Sequence, residues 1–216
     1  GSAKKKLLIT FAFLGVLMTA SLWFVEQGEW QLAVFFYVIA TIGFMAGNIF
    51  YDSLLPEVAS REKVDYVSAL GYSLGYLGGG SLFAVNVLMY LHPDWFGIPD
   101  SSTAIRISFL TVAIWWAVFT LPIIIFLPEP KSSNSVPLSK AVFSGISQLR
   151  ETYDHIREMK IIGTFLLAFW LYEDGVATIV RMAGKIASSL GFAAGDIITA
   201  ILMVQFIGFP AALLYN

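Results

Sequence analysis

Glu173 and Asp174 stand side by side two or three residues past the middle of an otherwise apolar stretch that runs from Ile161 to about Met182. On insertion scales an ionised carboxylate at that depth in a bilayer costs about 2.5 to 3.5 kcal/mol, so each acid must face a cavity, meet a cation or take up a proton. Arg181 follows Asp174 by seven residues, which is two turns along the same helical face. The gap is roughly 10 Å at 1.5 Å per residue, too long for a direct bond. Two uses fit this pattern. Either the face lines an aqueous pathway in which the Glu173 and Asp174 carboxylates bind a cationic group or relay protons, with Tyr172 and Arg181 as further substrate- or proton-binding residues, or the acids form a satisfied polar pair between helices. Gly175, directly after them, weakens the helix and lets it bend or open.

A second set of residues lies in the stretch Tyr66 to Leu91. Gly71, Gly75 and Gly79 recur every fourth residue, flanked by Gly78 and Gly80. Small residues at that interval let two helix backbones approach closely in lipid, so the first reading is helix packing, with sliding or hinging as an addition to it. Tyr72 and Tyr76 sit four apart on an adjacent face, and Asn86 lies further along. They could hydrogen-bond a solute in a cavity, or serve as packing residues with local hydroxyl partners. A third set, Asn48 and Asp52, closes the preceding stretch one turn apart. Asp52 is placed to cap the helix or to pair with loop cations such as Arg61 or Lys63, as a gate that changes between conformations or as a static salt bridge.

The elements that must position these residues follow from composition. Of 216 residues 57% are hydrophobic and 13% charged, with a mean hydropathy of +0.75, against roughly 25% charged in soluble domains. A water-soluble fold has no means of hiding that much apolar surface. Stretches long enough to cross a hydrocarbon core of about 30 Å recur six times. They are Leu7 to Val25, Leu32 to Tyr51, Tyr66 to Leu91, Ile105 to Leu127, Ile161 to Met182 and Ile197 to Tyr215. The expected fold class is therefore all-α, a polytopic transmembrane helical bundle of about six spans. The turn Glu26 to Glu29 makes the first two spans an antiparallel hairpin, and Pro128-Glu129-Pro130 stops the fourth.

Orientation follows from Lys and Arg, which favour the cytoplasmic side in short loops. With six spans one side collects Lys4, Lys5, Lys6, Arg61, Lys63, Lys131, Lys140, Arg150, Arg157 and Lys160, and the other Arg106, Arg181 and Lys185. Both ends should face the cytoplasm. The longest polar stretch, Lys131 to Lys160, contains Leu138, Val142, Ile146, Leu149, Tyr153, Ile156 and Met159 at helical spacing. That amphipathic helix could lie in the headgroup layer beside anionic lipid, or pack as a solvated linker. It divides residues 1–130, with four spans, from 161–216, with two.

Several chemistries find no support. A net charge of −2 gives no argument for nucleic acid as a partner, and the absence of cysteine removes thiolate and disulfide chemistry. His92 and His155 fall on opposite sides of the bilayer and would not share a metal. There is no phosphate-binding Gly-rich loop and no nucleophile elbow, so neither a nucleotide-driven pump nor an enzyme is indicated and no cofactor is expected. Gly1-Ser2 reads as a cloning scar, and no removable signal peptide is expected.

Three motifs make the chain familiar. Phe50-Tyr51-Asp52-Ser53-Leu54-Leu55-Pro56-Glu57 ends one span, and Leu70-Gly71-Tyr72 through Gly80 fills the next. The third is Phe165 through Trp170-Leu171-Tyr172-Glu173-Asp174-Gly175, followed by Arg181-Met182. In order and spacing the chain resembles the major facilitator superfamily, in the branch of the yeast vacuolar amino-acid effluxer linked to autophagy and its bacterial relatives. The likeness covers nearly the whole chain but only the third to eighth of that family's twelve spans, with the long polar stretch as the central cytoplasmic loop. Glu173 departs from the family pattern, standing where Asn is expected beside Asp174. The resemblance implies a segment of a secondary transporter for small solutes such as amino acids, working by rocking two lobes about a midplane site, with proton coupling as one drive. It implies a bacterial inner membrane as the location, lipids and a small-molecule substrate as partners, and self-association if the chain is a true fragment. A structural or oligomeric module and a six-span channel are the alternatives.

Overall fold

In a computed structural model, residues 4–128 and 138–214 are described, and among them every long element is a helix. The order is α1 (Lys4–Ser21), α2 (Trp30–Val58), α3 (Val64–Leu91), α4 (Ser101–Phe126), α5 (Leu138–Glu158), α6 (Lys160–Ser189) and α7 (Ala194–Leu214). Short 3₁₀ turns follow α1, at Leu22–Phe24, and α3, at Pro93–Phe96. Apart from α5, all the long helices, α1 counted with its 3₁₀ turn, are long and apolar enough to cross a membrane. Helices are the outcome that lipid demands, because no water is present to satisfy a free backbone N–H or C=O. The stop at Glu129-Pro130, the end of the last stretch at Tyr215 and the scar at Gly1-Ser2 lie outside the described residues.

Two helices outrun their predicted ends for local reasons. α2 continues past Tyr51 to Val58 and ends two residues after Pro56, which removes the bond to the Asp52 carbonyl. α6 continues past Met182 to Ser189 and stops where Gly191 turns left-handed at φ +88°. There the Phe192 N–H reaches the Ala187 carbonyl at 3.2 Å and the Gly191 N–H reaches Ser188 at 3.1 Å. This Schellman closure satisfies the terminal carbonyls and requires a residue without a Cβ penalty. It also keeps Arg181 and Lys185 on the helix.

The chain divides into two compact units, one of Gly1–Ser132 with Ala200–Asn216, the other of Ser133–Thr199. In the first, α1 and α2 form the predicted hairpin and cross with almost no separation. A Cβ built on Gly43 would lie 2.8 Å from the Gly15 nitrogen and the Phe11 carbonyl, and one on Gly15 would strike the Trp116 ring of α4. Small residues thus set the spacing of three helices, as expected where lipid supplies no hydrophobic drive between them. Leu8, Ala12, Ala40, Leu54 and Ala113 are buried in this unit, and Met89, Ile98 and Ala104 form a cluster, with Ile107 packed on it. α4 begins on Asp100, whose carboxylate accepts from the Thr103 N–H at 2.8 Å, a standard N-cap.

Polar bonds close both ends of this unit. Lys4 Nζ donates to Glu57 at 2.6 Å and to the Ser53 carbonyl at 3.0 Å, while Lys5 Nζ caps α4 through the Ile124 and Leu127 carbonyls at 2.8 and 2.5 Å. At the other end Arg106 Nε donates to the Trp23 carbonyl at 2.9 Å, with its guanidinium 5.0 Å above the Trp23 ring. In the second unit α5 is strongly amphipathic, as its sequence pattern predicted. Leu149 and Tyr153 of its apolar stripe are exposed, and the side chains of Leu138, Lys140, Val142, Ile146 and Arg157 lie outside the described ones. No described residue of α6 or α7 is buried.

Candidate functional site

Within the first unit, α2, α3 and the middle of α7 line an open cavity of about 370 Å³. Tyr51 and Leu55 come from α2, and Ser68, Tyr72 and Tyr76 from α3. Their spacing explains the wall: positions 68, 72 and 76 are successive turns of one helical face, so three hydroxyl-bearing side chains stack along it. Gly71 and Gly75 lie on that face between them. A Cβ at Gly71 would come within 2.9 Å of the Tyr51 hydroxyl, whereas at Gly75 nothing lies within 4 Å. In this unit the four-residue glycine repeat clears room for the cavity at Gly71 and Gly75 and for a side chain of α7 at Gly79, where a Cβ would be 3.9 Å from Gln205 Nε2. The closest backbone approach is the Gly15–Gly43 crossing.

Gln205 supplies the remaining polar group of the wall. It is half-buried in the middle of an apolar span, and no hydrogen-bond partner for it exists among the described residues. Sequence reasoning overlooked Gln205, Tyr51 and Ser68. A signal for Gln205 was present, since the depth argument that singles out Glu173 applies equally to an amide in mid-span.

The other predicted residues are placed as follows. Asn86 Oδ1 accepts from Thr111 Oγ1 at 2.8 Å, tying α3 to α4 away from the cavity wall. Asn48 lines a smaller cavity of about 170 Å³ with Tyr51, Trp116 and Thr120. Asp52 and Arg61 are exposed and form no ion pair among the described residues, where the one salt bridge, Lys4 to Glu57, lies at the same rim. Tyr51 is common to both cavities.

In the second unit, Glu173 and Asp174 are the fourteenth and fifteenth of the thirty residues of α6. They therefore stand at the middle of the helix. Both are exposed, as are Tyr172 and Arg181, and neither acid has a partner among the described residues. Asp174, Thr178, Arg181 and Lys185 follow at intervals of four, three and four, so they share one face, while Glu173 points about 100° away from Asp174. Thr178 and Lys185 belong to this polar stripe and were not singled out from sequence. Among the described residues no group of His, Asp and Glu could hold a metal ion.

Six helices long and apolar enough to cross a membrane define a multi-pass α-helical membrane protein, with an open cavity lined by hydroxyl and amide groups between three of them. The chain belongs to the family described as vacuole effluxer Atg22 like, whose pattern it matches over residues 1–216. It is 33% identical over 214 residues to an uncharacterized MFS-type transporter, YxiO, of Bacillus subtilis, covering 99% of this chain and 50% of that protein. It is 26% identical over 266 residues to autophagy-related protein 22 of Coccidioides immitis, covering 95% of this chain and 44% of the relative. Against the protein of the same name in Saccharomyces cerevisiae S288c the identity is 24% over 214 residues, with 82% and 40% covered. The chain therefore spans about half the length of the curated relatives it matches. No solved structure matches it.

Proposed function

We propose that this chain is part of a secondary active transporter that moves small, amino-acid-like solutes across a bacterial inner membrane by alternating access. The observation that carries the reading is the pairing of an apolar six-span chain with polar groups kept within its helices. Tyr51, Tyr72, Tyr76 and Gln205 converge on one cavity, and Glu173 and Asp174 stand unpaired halfway along α6. Burying such groups in lipid without a solute or water to meet them is unfavourable. The family relationship and the MFS-type relative support the same class.

In this reading the four spans of residues 1–130 belong to one lobe and residues 161–216 open a second, joined by the amphipathic α5 on the cytoplasmic side. Proton coupling falls to Glu173 and Asp174, and gating to the rim around Asn48, Asp52 and Arg61. The test uses the full-length protein carrying this chain, reconstituted in vesicles, with uptake of a labelled amino-acid mixture under an imposed proton gradient. Glu173→Gln combined with Asp174→Asn should abolish gradient-driven uptake while leaving membrane insertion intact. Undiminished uptake removes the carboxylates from the mechanism. Flux that ignores the gradient makes the protein a channel, and absence of flux with self-association of the chain makes it a structural module.

A further inference from the structure

We propose that the cavity between α2, α3 and α7 binds the ammonium end of its solute, with Gln205 as the group that reads it. The proposal rests on the transporter reading and names the chemistry of the cargo at one site. Among the described residues, the wall contains no Lys, Arg or His, so an anionic group entering it would lose its hydration and meet no counter-charge. What the wall offers instead is electron-rich. Three tyrosines contribute aromatic surface and phenol oxygens, the Ser68 hydroxyl adds another acceptor, and the Gln205 carboxamide contributes a carbonyl oxygen. Aromatic faces attract ammonium groups by about 0.5 to 2 kcal/mol, most strongly when water is excluded. A volume of about 370 Å³ suits a small solute.

The wall is also fixed in place. A Cβ on Gly80 would lie 3.1 Å from Gln205 Cβ, so the notch at Gly80 seats the stem of Gln205 at the cavity wall. Reciprocally, a Cβ on Gly208 would lie 2.9 Å from the Tyr76 ring, so α7 carries the matching notch for the ring of α3. Two cavity-lining side chains, one from each helix, are thus each seated in a glycine notch of the other. Such seating holds recognition groups without ordering cost at the moment of binding. Among the described residues the amide has no hydrogen-bond partner, so its carbonyl oxygen can accept from a solute.

The experiment compares three small probes that differ in the head group alone: ethanolammonium, ethylene glycol and glycolate. Binding to the full-length protein in phosphatidylglycerol discs is read by saturation-transfer NMR. Ethanolammonium should bind at least about fivefold tighter than the other two. Tyr72→Phe, which keeps the ring, should retain that preference, and Tyr72→Leu should lose it. Gln205→Leu should weaken ethanolammonium about tenfold, whereas Gln205→Glu should tighten it. Equal binding of ethylene glycol or glycolate overturns the proposal, as does an unchanged preference in both leucine variants. Repetition in phosphatidylethanolamine discs separates the sources of the ammonium: retained binding supports a free solute, and displacement assigns the site to a lipid head group and overturns the reading. Gradient-driven uptake with no head-group preference leaves the transporter standing and removes this inference alone; a head-group preference with no flux does the reverse.

Discussion

The crossing of α1 and α2 and the middle of α6 solve opposite problems with the same apolar raw material. At Gly15 and Gly43 the two backbones touch, Trp116 closes the third side, and there is no room for a methyl group. On α6, Glu173, Asp174 and Arg181 stand exposed, and no residue is buried. The first region is scaffold, where shape decides everything and charge nothing. The second is a polar stripe in the middle of an apolar helix, where the kind of side chain and not close packing distinguishes the face. The Tyr51 and Gln205 cavity lies between these extremes, with glycines that clear space for polar side chains instead of drawing backbones together. One residue type, placed on different faces, gives a tight crossing at Gly43, a cavity wall at Gly75 and a seat for a side chain at Gly80.

Substitution can break this contrast. Gly43→Ala should destabilise the folded protein by about 1 to 3 kcal/mol, since its methyl would press on backbone that has no flexible end to yield. Gly75→Ala should do the opposite, raising stability by about 0.5 to 1 kcal/mol, because its methyl enters open space and alanine is the better helix former. Unfolding in graded detergent mixtures reads both, and equal effects would erase the distinction between crossing and cavity wall. Lys4→Ala tests whether the rim is held by charge: its salt bridge to Glu57 is partly exposed, so the loss should be at most about 1 kcal/mol and should shrink with added salt.

The smallest effect concerns Asp100. The Thr103 backbone N–H holds its carboxyl below the usual carboxylate range. A group lowered in this way stabilises the fold above its unfolded pKa, and that contribution is lost as the pH falls through the folded value. Acid should therefore fray the start of α4 slightly in the wild type, and Asp100→Asn should flatten that dependence. Amide exchange at Thr103 followed against pH checks it.

Much was legible before any coordinates. Depth and polarity are properties of a linear string in a membrane, so the six spans, the hairpin, the amphipathic α5 and the mid-helix position of Glu173 and Asp174 could be read from hydropathy and spacing. Helical periodicity also placed Tyr72 and Tyr76 on neighbouring turns with the glycines. It was silent on partners. Asn86 could be read as a solute ligand, yet it bonds Thr111, and Asp52 had two loop cations within reach, yet the rim pair formed is Lys4 with Glu57.

The sequence by itself determined the solvent of this protein, the number of its apolar helices and which of them carry polar groups mid-helix, because a bilayer imposes those constraints on every segment separately. Only the tertiary structure decided that Tyr51, the face of α3 bearing Tyr72 and Tyr76, and Gln205 share one cavity. Which faces of distant helices meet depends on close packing, on where a missing Cβ lets a backbone or a side chain approach, and those volumes exist only once the helices have come together.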